Sequence, residues 1–353
     1  LDSLRALAAL GVVGWHYAGH FGARPLPDLM LPFYRHGLLL VDFFFVLSGF
    51  VLAHAFWKEE RRTRLTANLL ARIGRLYPLH LATLLLVAGL QWILTGPLAS
   101  PPFIYRFNDV YDFLLNVVLL NRTGLERGFS FNAPSWSIST EFVVNLLFLG
   151  AIALPRRRGL VCLGALFALS LAAVAANGLV ADLRFGGIDQ DIFRTIFGFL
   201  IGVGTQRLHR RIPVGSGPSG WLMDIVALSA TALFLLYCAW GTLSPSGDAA
   251  STALLFPALI LAVLRSRGIK RVLTLKPLTY LGELSFSIYL IHFPLQLVVH
   301  IAQVKTGIAP PFGTPGTLAV FLLTCIGAAA VTHSVIERPG RKLAAAFLGE
   351  TKS

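Results

Sequence analysis

From His36 to Trp57 the chain reads HGLLLVDFFFVLSGFVLAHAFW, a stretch with one acid and no Lys or Arg, and runs like it recur along the whole sequence. This repetition leaves few folds open. In hydrocarbon every backbone N–H and C=O must be satisfied inside the protein, so such runs are read as transmembrane helices. At ~1.5 Å per residue, about 20 apolar residues cross ~30 Å of membrane interior. Ten segments read this way, near 4–22, 36–57, 77–95, 137–154, 160–180, 192–208, 221–241, 250–264, 281–303 and 315–336, the eighth being short. The expected fold is an all-α, polytopic membrane bundle of about ten transmembrane helices, with residues 1–353 forming a single domain.

Composition agrees. Only 13% of the 353 residues are charged and 55% are hydrophobic, against about 25% charged in soluble domains. The net charge of +13 could signal nucleic acid, yet the bases sit in short loops between apolar runs, where topology signals lie, and nothing resembles a stacking platform or a DNA-reading helix. With the amino terminus in the cytosol, Lys58 to Arg75, Arg156 to Arg158, Arg207 to Arg211, Arg265 to Lys276 and the tail after Arg338 place most of the 30 Lys and Arg inside. Both termini are then cytosolic. The first apolar run lacks a small-residue cleavage site and carries His16 and His20, so it reads as a span and not as a cleaved signal peptide. Cys162, Cys238 and Cys325 lie in apolar segments as small packing residues, with neither a disulfide framework nor metal-ligand spacing; no metal is expected.

The longest outer stretch, 96–135, holds Pro97, Pro101, Pro102 and Pro134 and an apolar run, Phe113 to Leu120, too short to span. It is expected to lie at the interface or to re-enter the membrane. Its Asn121-Arg122-Thr123 sequon carries no meaning in a bacterial host. Gly198 and Gly202 form a small-xxx-small pair that reads as a helix-packing face.

Ionisable residues inside spans are costly and usually face the bundle interior. Arg5 opens the first span, and His16 stands eleven residues on, roughly 16 Å deep. A shielded histidine there can act as a general base near neutral pH. By the same helical rise Asp42, Glu141 and His292 fall roughly 18–22 Å above the inner surface, so four spans are expected to place titratable groups in one layer. Ser137, Glu141 and Asn145 share one helical stripe, and Ser285, Tyr289 and His292 share another. Such stripes serve equally as interhelical hydrogen-bond glue. His20, His54, His300 and His333, nearer span ends, read as interfacial. Arg72 and Arg75 lie three apart on one helical face before the third span. Two planar, permanently charged guanidiniums suit phosphates, although inner-loop arginines also flank spans and touch lipid headgroups.

Taken in order, these residues resemble the bacterial acyltransferase 3 family. Arg5 and His16, ten residues between them, resemble its R-x10-H signature; DFFFVLSGF (Asp42–Phe50) resembles its second-helix motif, and Arg72-Ile73-Gly74-Arg75 its RxxR motif. PSWSISTE (Pro134–Glu141) is similar to its Trp-Ser…Glu motif, while SFSIYLIH (Ser285–His292) and Glu337-Arg338-Pro339 resemble its ninth-helix and carboxy-terminal signatures.

The resemblance implies a bacterial inner-membrane enzyme that moves an acyl group, commonly acetyl, from cytosolic acyl-coenzyme A to a hydroxyl of a cell-envelope carbohydrate or lipid-linked sugar. It implies that His16 is the catalytic base, that Asp42 is its partner, and that Arg72 and Arg75 hold the coenzyme A phosphates. Glu141 is expected to share the catalytic cavity; Arg5, Trp136, Ser137, Tyr289 and His292 are expected to support it, with Trp136, Ser137 or Tyr289 as the oxyanion donor. Some members carry a further esterase-like domain; none is seen here, so acceptor recognition is expected to fall to the spans and outer loops. A proton-coupled transporter or flippase would also explain buried His and Asp, but not the arginine pair. A noncatalytic scaffold explains neither.

Overall fold

The structure, a computed structural model, describes residues 1–57, 65–180, 182–213, 219–242 and 244–347. The part of the inner basic loop at 58–64 and the last residues of the tail lie outside them. In chain order the helices are α1 (Asp2–Phe21), α2 (Pro27–His36), α3 (Leu40–Phe56), α4 (Leu65–Thr95), α5 (Val110–Val117), α6 (Trp136–Ala153), α7 (Arg156–Asn177), α8 (Gln190–Arg211), α9 (Gly220–Trp240), α10 (Pro245–Ala250), α11 (Phe256–Arg265), α12 (Gly268–Leu273), α13 (Lys276–Thr306), α14 (Pro315–Thr332) and α15 (Arg338–Phe347). A two-residue antiparallel ribbon pairs Arg184–Phe185 with Ile188–Asp189 just before α8.

Among the described residues, eight helical stretches are long and apolar enough to cross a membrane: 27–56, 67–95, 133–153, 156–177, 220–240, 245–265, 276–306 and 315–347. The expected first and sixth spans are present as α1 and α8, of 20 and 22 residues, but are not among the eight. Arg5, His16 and His20 lower the apolarity of α1; Asp191, Arg194 and the terminal arginines lower that of α8. Both are instead deeply packed, α8 on α3 and α1 on α13 forming the most extensive helix contacts described. The short eighth segment gains length from a π-helical turn, Ser251–Leu255, that joins α10 to α11. A second π turn, His333–Glu337, joins α14 to α15.

Local chemistry explains several of the boundaries. Asp109, Asp189 and Thr314 cap α5, α8 and α14 by accepting backbone N–H groups of the first turn, and Pro27, Pro245 and Pro315 stand at first-turn positions where a missing N–H costs nothing. Helix α5 is too short to span. It buries Asp112, Leu115 and Asn116 while Tyr111, Leu114 and Val118 stay exposed, an apolar outer stripe consistent with an interfacial position. Asn121 of the sequon is buried and donates to Ser135 Oγ at 3.3 Å.

One end of the bundle gathers the arginine-rich helix ends, where Ser3 Oγ donates to the Leu273 carbonyl and Gly74 of α4 meets Ala344 of α15. We call this the basic end. The opposite end carries the 96–135 loop, the ribbon, and the contact of Gly178 with Pro245.

Candidate active site

The site begins with two glycines. Gly202 of α8 abuts the Val46 carbonyl and Gly49 of α3 abuts the Phe199 carbonyl, with no room for a Cβ at either. Gly198 faces Phe45, as the small-xxx-small reading expects. Arg194 stands one turn before Gly198, and Asp42 one turn before Val46, so the close backbone approach brings these side chains together. Arg194 Nε donates to Asp42 Oδ1 at 2.9 Å and Nη2 to Oδ2 at 2.6 Å, a bidentate pair in which Asp42 is fully buried. The guanidinium carbon lies 5.2 Å from the Trp136 ring centroid.

This corrects the expected partner of His16. Both Asp42 oxygens are taken by Arg194, and His16 instead meets His292, whose Nε2 is 3.2 Å from His16 Nδ1. Rotation by about 100° per residue turns Asp42 toward α8 and away from α1, a choice that depth alone cannot reveal. His16 Nδ1 is also 3.2 Å from the Val12 carbonyl. A carbonyl only accepts, so in the tautomer that satisfies this contact the proton is on Nδ1 and Nε2 is the basic nitrogen. The rings of Trp15, His20 and His292 surround it, with centroids at 4.7, 5.1 and 4.8 Å.

His16 opens on a cavity of about 220 Å³ toward the end opposite the basic one. Trp15, Tyr105, Phe129 and Trp136 line it together with Arg122, Arg194, Asp182 and Asp191. Arg122 Nε donates to Asp191 Oδ2 at 2.7 Å and Nη2 to Asp182 Oδ1 at 3.2 Å, and Asp189 Oδ1 lies 3.4 Å from Nε. Asp191 Oδ1 accepts from Arg194 Nη1 at 3.4 Å, so one aspartate joins both arginines. We call this the aromatic cavity.

A second cavity, of about 180 Å³, opens at the basic end. Arg5, Arg72 and Arg75 line it with Asp2, Ser48, Glu141, Ser137 and Tyr289. Arg72 Nη2 donates to Ser48 Oγ at 3.3 Å and lies 3.6 Å from Glu141 Oε1, which accepts from Ser48 Oγ at 2.7 Å. Arg5 is 3.6 Å from Asp2, one turn away. Arg75 makes no ion pair or hydrogen bond among the described residues, and its Nε and that of Arg72 are buried without a partner. Arg72 is itself buried, which removes the reading of this side chain as a lipid-headgroup contact.

The single layer expected from helical rise therefore divides in two. Glu141 lies with Ser48 and Arg72 in the basic-end cavity, His16 lines the aromatic cavity, and Asp42 lines neither. Helix α6 enters with Trp136 on the aromatic cavity and turns Ser137 and Glu141 to the other side. On the wall of the basic-end cavity Ser137 Oγ and Tyr289 OH are 2.9 Å apart. His333, expected at the interface, is buried instead: its Nδ1 is 3.0 Å from Glu337 Oε2, which also accepts from Ser287 Oγ at 2.8 Å, while Arg341 pairs with the other Glu337 oxygen.

Arg194, Arg122, Asp191 and Ser48 were missed by the sequence reading. Arg194 did leave a signal, as the one charged residue in the apolar stretch 192–206, three residues after an aspartate. Arg122 left none, because loop arginines are common and its partners lie across the chain.

Comparison with known protein families matches residues 1–333 to the acyltransferase domain. The chain belongs to the acyltransferase 3 family. Among relatives, acyltransferase MdmB of Streptomyces mycarofaciens is 29% identical over 97% of this chain and 91% of its own length. The exopolysaccharide production protein ExoZ of Rhizobium meliloti is 31% identical over 85% of this chain and 88% of its own. The peptidoglycan O-acetyltransferase OatA of Listeria monocytogenes is 24% identical over 84% of this chain but only 49% of its own length. No solved structure matches. The chain is thus a multi-pass membrane acyltransferase, as the ordered motifs imply. The acyltransferase 3 signatures carried by Arg5, Arg72 and Glu141 converge on one cavity, and His16 faces the other.

Proposed function

We propose that this protein transfers an acyl group, acetyl in the simplest case, from cytosolic acyl-coenzyme A to a hydroxyl of a cell-envelope carbohydrate. The observation that carries the donor half is Arg75, which has no ion pair or hydrogen bond among the described residues, beside Arg5 and Arg72 in the basic-end cavity. Buried cations with unsatisfied N–H groups are receptors for an anion, and planar guanidiniums match phosphate. The carbohydrate half draws support from relatives whose names tie them to exopolysaccharide and peptidoglycan. In this reading α1 and α8 join the eight apolar stretches as spans, both termini are cytosolic, and the basic end faces the cytosol.

Phosphates of the donor sit on Arg72 and Arg75, and the thioester arm runs outward along α1. Arg5 and His16 are eleven residues apart, roughly 16 Å along the helix. The acceptor hydroxyl approaches from the aromatic cavity. His16 Nε2 takes its proton as the oxygen attacks the thioester carbon, the C–S bond breaks, and the sulfur leaves with the proton that His16 returns. Ser137 Oγ has two acceptors in reach, Tyr289 OH at 2.9 Å and the Pro134 carbonyl at 3.4 Å; when it donates to Tyr289, the Tyr289 O–H is left to donate to the developing oxyanion. His292 Nε2, accepting from His16, keeps the His16 proton on Nδ1, the positioning role that the family resemblance implies for Asp42. Asp42 acts at one remove, by fixing Arg194.

Equilibrium binding of acyl-coenzyme A to purified protein tests the donor half. Arg75→Ala should weaken binding about tenfold or more, the loss of a charge-assisted bond, and Arg75→Lys should restore only part of it. Unchanged affinity in both variants would remove the basic-end cavity from the donor site.

A further inference from the structure

The two cavities differ in how their arginines are used, and that difference bears on which acceptors the enzyme takes. We propose that the aromatic cavity receives a sugar ring that is uncharged or cationic and rejects one that carries a carboxylate or phosphate. The proposal rests on the carbohydrate-acceptor reading above and names the class of carbohydrate.

The first argument is an inventory of N–H groups. Arg194 commits Nε and Nη2 to Asp42, brings Nη2 within 3.4 Å of the Leu38 carbonyl, and sets Nη1 on Asp191. Arg122 commits Nε to Asp191 and Nη2 to Asp182. Four aspartates, Asp42, Asp182, Asp189 and Asp191, thus surround two arginines. Of these, Asp182 and Asp191 line the cavity, so an anionic acceptor would have to displace one of them while facing the other, and like charges brought together at a binding surface repel. The side chain of Asp182 is 91% exposed, and with only Oδ1 on Arg122 it offers a free acceptor to a hydroxyl or an ammonium group.

The second argument is the wall. Trp15, Tyr105, Phe129 and Trp136 line the cavity, with Arg122 4.2 Å over the Phe129 ring and Arg194 5.2 Å from that of Trp136; aromatic rings suit the apolar C–H face of a sugar and do not attract an anion. At about 220 Å³ the cavity is smaller than the ~300–1,000 Å³ of drug-sized sites, room for one ring and not for an oligosaccharide. On the donor reading above, the basic-end cavity is the anion site by contrast: Asp2 and Glu141 line it, yet Arg75 has no acid partner among the described residues.

The test uses three probes that share one ring: methyl β-glucoside, methyl β-glucosaminide and methyl β-glucuronide. Their binding to the intact protein in nanodiscs is read by saturation-transfer NMR with no donor present, so the outcome does not depend on acyl transfer. The glucoside and the glucosaminide should bind, and the glucuronide should bind about tenfold more weakly or worse. Asp182→Lys should narrow that gap. Glucuronide binding equal to that of the glucoside, a gap unmoved by Asp182→Lys, or no binding of any of the three would overturn the proposal. Parallel acyl-coenzyme A turnover reports on the transfer reading: turnover that persists with the charge order broken removes this inference alone.

Discussion

Arginine lines both cavities of this membrane acyltransferase, but in opposite conditions. At the basic end Arg75 has no partner among the described residues and Arg72 keeps an unsatisfied buried Nε. In the aromatic cavity Arg194 and Arg122 are held by a chain of aspartates, with Arg194 1% and Arg122 3% exposed. On the proposed donor reading, the same side chain is a receptor where its N–H groups are free and a brace where they are spent. A count of charges along the sequence cannot distinguish the two, because the distinction lies in which partners the fold delivers.

The largest expected effect breaks chemistry while leaving the comparison intact. His16→Ala should lower acyl transfer by ~10²–10⁴-fold, the contribution of a general base, with acyl-coenzyme A affinity and thermal stability close to those of the parent. A steady-state assay paired with direct donor binding checks it. An equal loss of donor affinity would mean that the two cavities do not work separately.

Next comes the brace. Breaking a buried ion pair by removing one partner costs about 3–5 kcal/mol, so Arg194→Met or Asp42→Asn should destabilise the protein markedly. Arg75→Ala, which removes no partner, should leave the unfolding midpoint nearly unchanged. Unfolding curves for these variants in one detergent sharpen the contrast: the double variant Arg194→Met with Asp42→Leu should recover much of the loss, because an apolar pair of similar size replaces the ion pair. Equal destabilisation at Arg75 would erase the distinction between receptor and brace.

The smallest effect lies in the outer loop. The Asp109 carboxyl accepts the Asp112 N–H at 3.2 Å, which holds it below the usual carboxylate range, and its contact with Arg127 acts in the same direction. A depressed folded-state value contributes stability above the unfolded value and is lost as pH falls through the folded one. The cap of α5 should therefore loosen as pH drops below about 4. Pepsin cleavage near 105–117 should rise across that window, and Asp109→Ala should remove much of the dependence. No change would show that the loop is held by its apolar contacts alone.

Much of the fold was legible along the chain, because transmembrane helices advertise themselves by length and apolarity within a single segment. The expected segments recur as helices, and the eighth differs in a way that only a π turn explains. Polar α1 and α8 show the limit of that signal. Their ionisable residues lower hydropathy, and neighbouring helices cover those residues. The shared helical face of Arg72 and Arg75 and the depth of His16 in its span were also readable, since each follows from spacing on one helix; that Arg5 joins the arginine pair was not.

Which polar groups meet was not readable. Helical rise gives depth but not azimuth, so Asp42, Glu141, His16 and His292 could be ranked in height and not assigned to partners. The tertiary structure decided that Asp42 faces Arg194, because Gly49 and Gly202 let α3 and α8 approach until backbone meets backbone. It decided that His16 meets His292, because α1 packs along α13. The sequence by itself determined a membrane bundle, its family and the histidine that faces a cavity, all of which are local or written in order along the chain. The division into a cavity where Arg75 has no partner among the described residues and a cavity where the arginines are committed depends on pairings between residues as far apart as 42 and 194, and only the packed helices set those.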